Sequence, residues 1–307
     1  MVYTISWLLA AVLAYLFFGF ASLADKLVLN GTTEGVSRPK AYTFYVGVFG
    51  LISIVLIPFV KFVFPGQAGL TWLLLDALVR VFGLYTMYVA VSKFDISKVI
   101  ATIGATQPIF IFIMTWIFWG AQTMRATDIL AFILLFLGSV IISFEKSIKL
   151  TANYLQITIF SSLMFSLDYI FAKLVYSNMP FFSGIIWIQL FTALLVMIFL
   201  ISKKSRKEIF SKQVAIDKKK QWIFLFAQII GGAGNFLQGV AISLAPVVFL
   251  ATINSLRGIQ YAFLFMVTLL TSYFYPKFLK EELSRKIVFQ KTFSIILIIA
   301  GLMFLIA

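Results

Sequence analysis

Ten apolar stretches follow one another along this chain, near residues 4–29, 41–64, 70–93, 97–120, 126–146, 152–177, 180–202, 221–245, 247–275 and 287–307. Each reaches or exceeds the roughly 18 apolar residues that mark a helix able to cross a bilayer. Backbone in hydrocarbon has no water to bond, so stretches of this kind must satisfy their own N–H and C=O groups as helices. Composition agrees, with 62% of the 307 residues hydrophobic and 12% charged. Soluble chains run at about 45–50% apolar and about 25% charged. The first stretch is too long, and lacks the small-residue cleavage site, for a removable signal peptide, so it is expected to persist.

The chain also repeats itself. Val89-Ala90-Val91-Ser92 leads to Ala101-Thr102-Ile103, and Val240-Ala241-Ile242-Ser243 leads to Ala251-Thr252-Ile253. Lys26-Leu27-Val28 near the end of span 1 matches Lys173-Leu174-Val175 near the end of span 6. Trp72 opens span 3 as Trp222 opens span 8, and Leu137-Gly138 in span 5 corresponds to Ala300-Gly301 in span 10. Apolar segments resemble each other by chance, but the shared order of these matches argues for duplication. Residues 1–150 and 151–307 are therefore expected to be two five-span repeats. An odd number of spans per repeat sets the halves in opposite orientations, the usual plan of secondary transporters, with the substrate site where the repeats meet. The expected fold class is an all-α membrane protein of ten transmembrane helices in two inverted five-helix repeats around a central cavity.

A net charge of +14 invites a nucleic-acid reading, but the placement of the cations argues against it. Nineteen of the 25 Lys and Arg fall in odd-numbered loops, eight of them between Lys203 and Lys220. Only Lys61 and Arg125 fall in even loops, while Lys26, Arg80, Lys173 and Arg257 lie within spans or at their ends. Positive loops face the cytoplasm. That places the odd loops inside, both termini outside, and the chain in the cytoplasmic (inner) membrane. The longest loop, 202–220, reads either as a topology anchor or as a surface for a partner or anionic lipid. Ile209, Phe210 and Val214 would let part of it lie as a short amphipathic helix on the membrane.

The chain has neither cysteine nor histidine, so disulfides, thiolates and imidazole ligands are excluded. No metal site and no cofactor are expected, and any proton coupling must use carboxylates. No phosphate-binding loop for ATP is present.

The halves carry further shared features. Ala90 runs to Gln107-Pro108-Ile109-Phe110, then Gly120 and Gly138-Ser139; Ala241 runs to Ala245-Pro246-Val247, then Glu281-Glu282-Leu283-Ser284-Arg285 and Gly301. On these residues the chain resembles the drug/metabolite transporter superfamily in its EamA-like, ten-span branch. The first repeat departs from the pattern, with Gly120-Ala121-Gln122 where that family often has acidic and basic residues. The resemblance implies a transporter of small organic metabolites and leaves the substrate open.

Ionisable side chains inside spans are costly and hence functional candidates. Arg257 lies mid-span in span 9, and its repeat counterpart is Gln107. A guanidinium suits a carboxylate or phosphate; the alternative is a structural ion pair. Asn254, Arg257 and Tyr261 are three and four apart and share a helix face. Asp168 in span 6 is a candidate proton carrier or partner of Arg257. Asp25, beside Lys26, reads rather as a solvated interfacial group. Asp76 and Arg80, four apart, read as a self-neutralised pair, structural unless it faces a cavity. Asn235 and Gln238 sit among the glycines of span 8, which serve helix packing or let the amides line a cavity. Tyr88 and Tyr169, with Tyr85, lie deep enough to meet a substrate, whereas Trp7, Trp72, Trp187 and Trp222 are expected to be interface anchors.

Three functions compete. The first is alternating-access transport of a small anionic or amphoteric solute such as an amino acid, with or without proton coupling. The second is a lipid-linked-substrate flippase or a non-transporting scaffold. The third is a membrane transferase, for which only Glu281-Glu282 offers an adjacent acidic pair. The expected partners are a small-molecule substrate and the bilayer, with no nucleic acid, and the expected class is not an enzyme.

Overall fold

The structure, a computed structural model, describes residues 2–29, 38–94, 96–121, 123–143, 151–210, 218–274 and 285–306. Every regular element among them is helical. These are α1 (Val2–Leu29), α2 (Pro39–Phe49), α3 (Gln67–Lys93), α4 (Ile96–Trp119), α5 (Ala126–Ser143), α6 (Ala152–Asn178), α7 (Phe181–Val196), α8 (Lys203–Phe210), α9 (Lys218–Leu244), α10 (Leu250–Ser255), α11 (Arg257–Phe274) and α12 (Arg285–Ile306). Together with their 3₁₀ extensions they provide ten helical segments long and apolar enough to cross a membrane. Phe59 (80% exposed), Phe289 (73%) and Val55 (64%) stand outward, a surface that calls for lipid rather than water.

Two spans are less regular than their apolar runs imply. Span 2 is α2 continued by a ten-residue 3₁₀ helix, Gly50–Phe59. Pro58 lies inside it and has no N–H to give an α-helical ladder. Span 9 begins after Pro246 as a 3₁₀ turn, Val247–Phe249, becomes α10, tightens at Leu256, whose N–H still reaches the Thr252 carbonyl (3.1 Å), and continues as α11. By contrast α4 runs continuously through Pro108. There Ser162 and Ser166 of α6 donate to the carbonyls of Ile103 (3.3 Å) and Gln107 (3.2 Å) on either side of the turn that the proline weakens.

The chain forms two compact units, and neither is a sequence half. One contains 1–33, 121–146 and 216–307; the other contains 34–120 and 147–215. In the first unit the most extensive helix contact is α1 on α9, and in the second it is α3 on α6. Spans 1 and 6 are sequence counterparts, as are spans 3 and 8, so each unit holds the same helix pair with the halves exchanged. Two further counterpart pairs pack on each other: α5 on α12 in the first unit, span 2 on α7 in the second.

Glycines allow these approaches. A Cβ on Gly138 would meet Ser294 and Ile298, and one on Gly301 would meet Ala131 and Leu135. A single offset of 163 carries 138 to 301, 135 to 298 and 131 to 294. The contact is thus reciprocal, the signature of a local two-fold relation, and antiparallel. Gly47 against Val196 and Gly50 against Gln189 likewise make span 2 antiparallel to α7.

Within the basic loop, α8 is a short helix as expected, but Ile209 is 2% exposed and packs with Ala41, Phe44 and Val196 instead of entering lipid. Lys40 donates to Ser205 Oγ (3.0 Å) and through its backbone to Glu208 (3.1 Å), and Tyr45 to the Ile209 carbonyl (3.0 Å). Side-chain capture of α8 by α2 decides this placement. Trp7 is a further correction. It is 1% exposed and stacks on Phe249 at 5.2 Å, a core residue rather than an interface anchor. Trp222, 73% exposed, is placed as an anchor would be. The Asp25 side chain, Val214 and the Glu281–Ser284 part of the acidic motif lie outside the described residues.

Candidate functional site

In the first unit the polar residues collect where α1, α9 and span 9 meet. Gly234 lets α9 approach α1 closely, since a Cβ there would lie 2.8 Å from the Phe18 ring and 3.2 Å from the Ala14 carbonyl. One turn along, Gln238 Nε2 donates to the hydroxyl of the fully buried Tyr15 (3.3 Å). That hydroxyl donates to the Asn254 carbonyl (3.3 Å). Asn254 and Thr252 are 0% exposed, yet both amide atoms of Asn254 and the Thr252 hydroxyl have no hydrogen-bond partner among the described residues. The Tyr261 hydroxyl lacks one too, although it lies within electrostatic reach of Arg257 and Tyr15. Proximity without alignment accounts for both observations. Gln260 reaches across to Ser22 of α1 (3.0 Å).

Buried polar groups are almost always paired, and each one left over costs about 1–3 kcal/mol. Here an amide able both to donate and to accept, two hydroxyls and a guanidinium gather where span 9 tightens around Leu256. That donor set suits a small ligand carrying a carboxylate or phosphate and a second polar group. Arg257, Asn254, Tyr261 and Gln238 are thus brought together. Asn235 is not: it is exposed, and its amide donates to the Gly231 carbonyl of its own helix (3.1 Å).

In the second unit the equivalent helix pair carries charge. Arg80 of α3 places Nη2 2.8 Å from Asp168 Oδ1 of α6 and 3.5 Å from Asp76 Oδ2 one turn away. The two carboxylates interact with each other as well, and Tyr176 lies within electrostatic reach of all three charges. The expected Asp76–Arg80 pair is therefore a triad, and the cation at Asp168 is Arg80. Neither contact has the directed geometry of a hydrogen bond, for Asp76 Oδ1 and Oδ2, Asp168 Oδ1 and Arg80 Nε have no such partner among the described residues. The Asp76 side chain is 0% exposed, that of Asp168 14% and that of Arg80 23%. Gln107, 2% exposed, donates to the Phe165 carbonyl (3.4 Å), and Tyr169 is buried on α6. Tyr88 of α3 faces Tyr42 at 5.5 Å.

The units match contact by contact. Gly83 receives the Phe165 ring as Gly234 receives that of Phe18. Ser162 donates to the Ile103 carbonyl as Tyr15 does to that of Asn254, one residue apart in the repeat alignment. By the same matching, Arg80 and Asp168 correspond to Gly231 and Ala21, so placed that a Cβ on Gly231 would lie 3.8 Å from that of Ala21. Asp76 corresponds to Ala227, which is 2% exposed.

Tyr15, Thr252 and Tyr176 were not among the residues singled out from sequence. A lone hydroxyl in an apolar run gives no periodic signal. The serines of α6 offered one: Ser161, Ser162 and Ser166 stripe one face of an apolar span, and all three are buried against α3 and α4.

No family model and no curated protein matches the chain. Solved structures do. One, described only as "Crystal structure of protein", superposes with a TM-score of 0.63 over 95% of this chain and 93% of that chain at 15% identity. At that identity the likeness extends to the fold alone.

Proposed function

We propose that this chain is a secondary transporter of small organic metabolites, working by alternating access, with the anionic group of its substrate held at Arg257. One observation carries the reading: span 9 tightens beside Arg257, where the fully buried Asn254 and Thr252 and the hydroxyl of Tyr261 keep polar atoms with no hydrogen-bond partner among the described residues. Costly polar and charged groups inside a membrane helix mark where transporters place substrate sites. The antiparallel, reciprocal packing of counterpart spans supports an inverted repeat, and the EamA-like motifs point the same way. The positive odd loops support placement in the cytoplasmic membrane with both termini outside. On this reading the chain is not an enzyme, and it needs no cofactor.

A thermal-shift screen of carboxylated and phosphorylated metabolites on purified protein tests it. A ligand at about 100 times its Kd stabilises the native state by about 2.7 kcal/mol. Hits are expected to lose their shift in Arg257→Ala and to be carried by wild-type proteoliposomes but not by the variant. Equal shifts and equal flux in wild type and variant would remove Arg257 from the site. Scrambling of labelled lipid by protein that carries no soluble hit would favour a flippase.

A further inference from the structure

We propose that Asp76, Arg80 and Asp168 form a site that takes up and releases a single proton; its use as a coupling site rests on the transport reading. Two carboxylates share one guanidinium nitrogen, at 2.8 and 3.5 Å. Fully ionised, the cluster holds one negative charge in excess inside an apolar helix pair. Opposite charges in contact attract strongly at the low effective dielectric of such a site, and taking each ion out of water is costly. One carboxylate recovers that cost from Arg80; the second cannot, because the first repels it.

One proton removes the excess, and the geometry says where it sits. Asp168 is the nearer partner of Arg80, whereas Asp76 is fully buried and neither of its oxygens accepts a hydrogen bond. The partly exposed Asp168 and Arg80 leave the cluster a way in. Other titratable groups facing it are few. Tyr176 lies beside it, and Lys173 is buried five positions beyond Asp168 on α6. Of the other helices packed on α3, α7 has no charged residue, α2 has only Lys40, bound to Ser205, and α4 only Lys98 near its start.

A purely structural role is disfavoured by the molecule itself. The counterpart pair, α1 on α9, packs at the matching place with Gly231, Ala21 and Ala227, and no charged side chain stands there among the described residues. The fold has no need of ions there.

Infrared spectroscopy of the full chain in lipid nanodiscs, without substrate, tests the site. Wild type is expected to show a protonated-carboxyl C=O band at neutral pH that shifts in heavy water and bleaches as the pH is raised. Asp76→Asn and Asp168→Asn are each expected to lose it, since either leaves one carboxylate against one guanidinium. Asp76→Glu is expected to restore it. Absence of the band from wild type overturns the proposal, and so does its persistence in both asparagine variants. Loss in Asp76→Asn alone overturns the shared-charge account. Thermal stabilisation by sodium with no band overturns it in favour of a metal cation. Because the band is read without substrate, its presence beside a failed flux assay sinks the transport reading and spares the proton site.

Discussion

At the scale of single residues, this protein is decided by where side chains are missing. Gly138, Gly301, Gly83 and Gly234 each stand where a Cβ would press on a neighbouring helix. At Gly301 that Cβ would lie 2.8 Å from Leu135 Cγ and 3.0 Å from its backbone nitrogen, and backbone cannot step aside. Gly301→Val is expected to destabilise by about 1–3 kcal/mol through overpacking. Gly232, with nothing within 4 Å, is expected to accept alanine unchanged. Thermal unfolding of the two variants in detergent measures the contrast, and equal losses would mean that packing at Gly301 is not tight. Of the polar residues, Arg257 and Asp168 stood out from the sequence because a charge in an apolar run is conspicuous. Tyr15 did not, since its importance lies in donating to a carbonyl 239 positions away.

At the scale of elements, span count and helical class were legible because apolar length alone selects helices in lipid. The 3₁₀ half of span 2 and the tightening at Leu256 were not, since neighbouring side chains and Pro58 settle backbone detail below the resolution of hydropathy. α6 shows how elements are joined. At its first turns Tyr154 meets the Thr102 hydroxyl at 2.6 Å and donates to the Lys98 carbonyl at 2.8 Å. Further along, Ser161 donates to the Gly83 carbonyl of α3 (3.0 Å). Tyr154→Phe removes two buried bonds while keeping the ring, at an expected cost of about 1–2 kcal/mol. A chemical-unfolding midpoint identical to wild type would show that these two bonds add nothing to the joint between α4 and α6. At the head of α5, the Asp128 carboxylate accepts from the Arg125 backbone and guanidinium, and that hydrogen bond with the ion pair raises the pKa of Arg125 above its usual value.

At the scale of the whole molecule, the absence of native cysteine makes topology measurable. Lys204→Cys in α8 and Gly66→Cys before α3 lie in loops of opposite parity. An impermeant maleimide is expected to reach Gly66→Cys in intact cells and Lys204→Cys only in inside-out vesicles. Labelling of both from one side would overturn the topology.

The sequence by itself determined the helical class, the ten helices long and apolar enough to cross a membrane, and the uneven spread of basic residues between them. Each of these follows from local composition along the chain. Only tertiary structure decided which helices share a unit, because spans 1 and 6 each leave their own half to pack on a glycine-bearing span of the other. That exchange sets Arg80 against Asp168 in one unit while leaving Gly231 on Ala21 in the other. The physical reason is that helix pairing is chosen by close contact between small and large side chains across the whole chain. No local pattern carries that information.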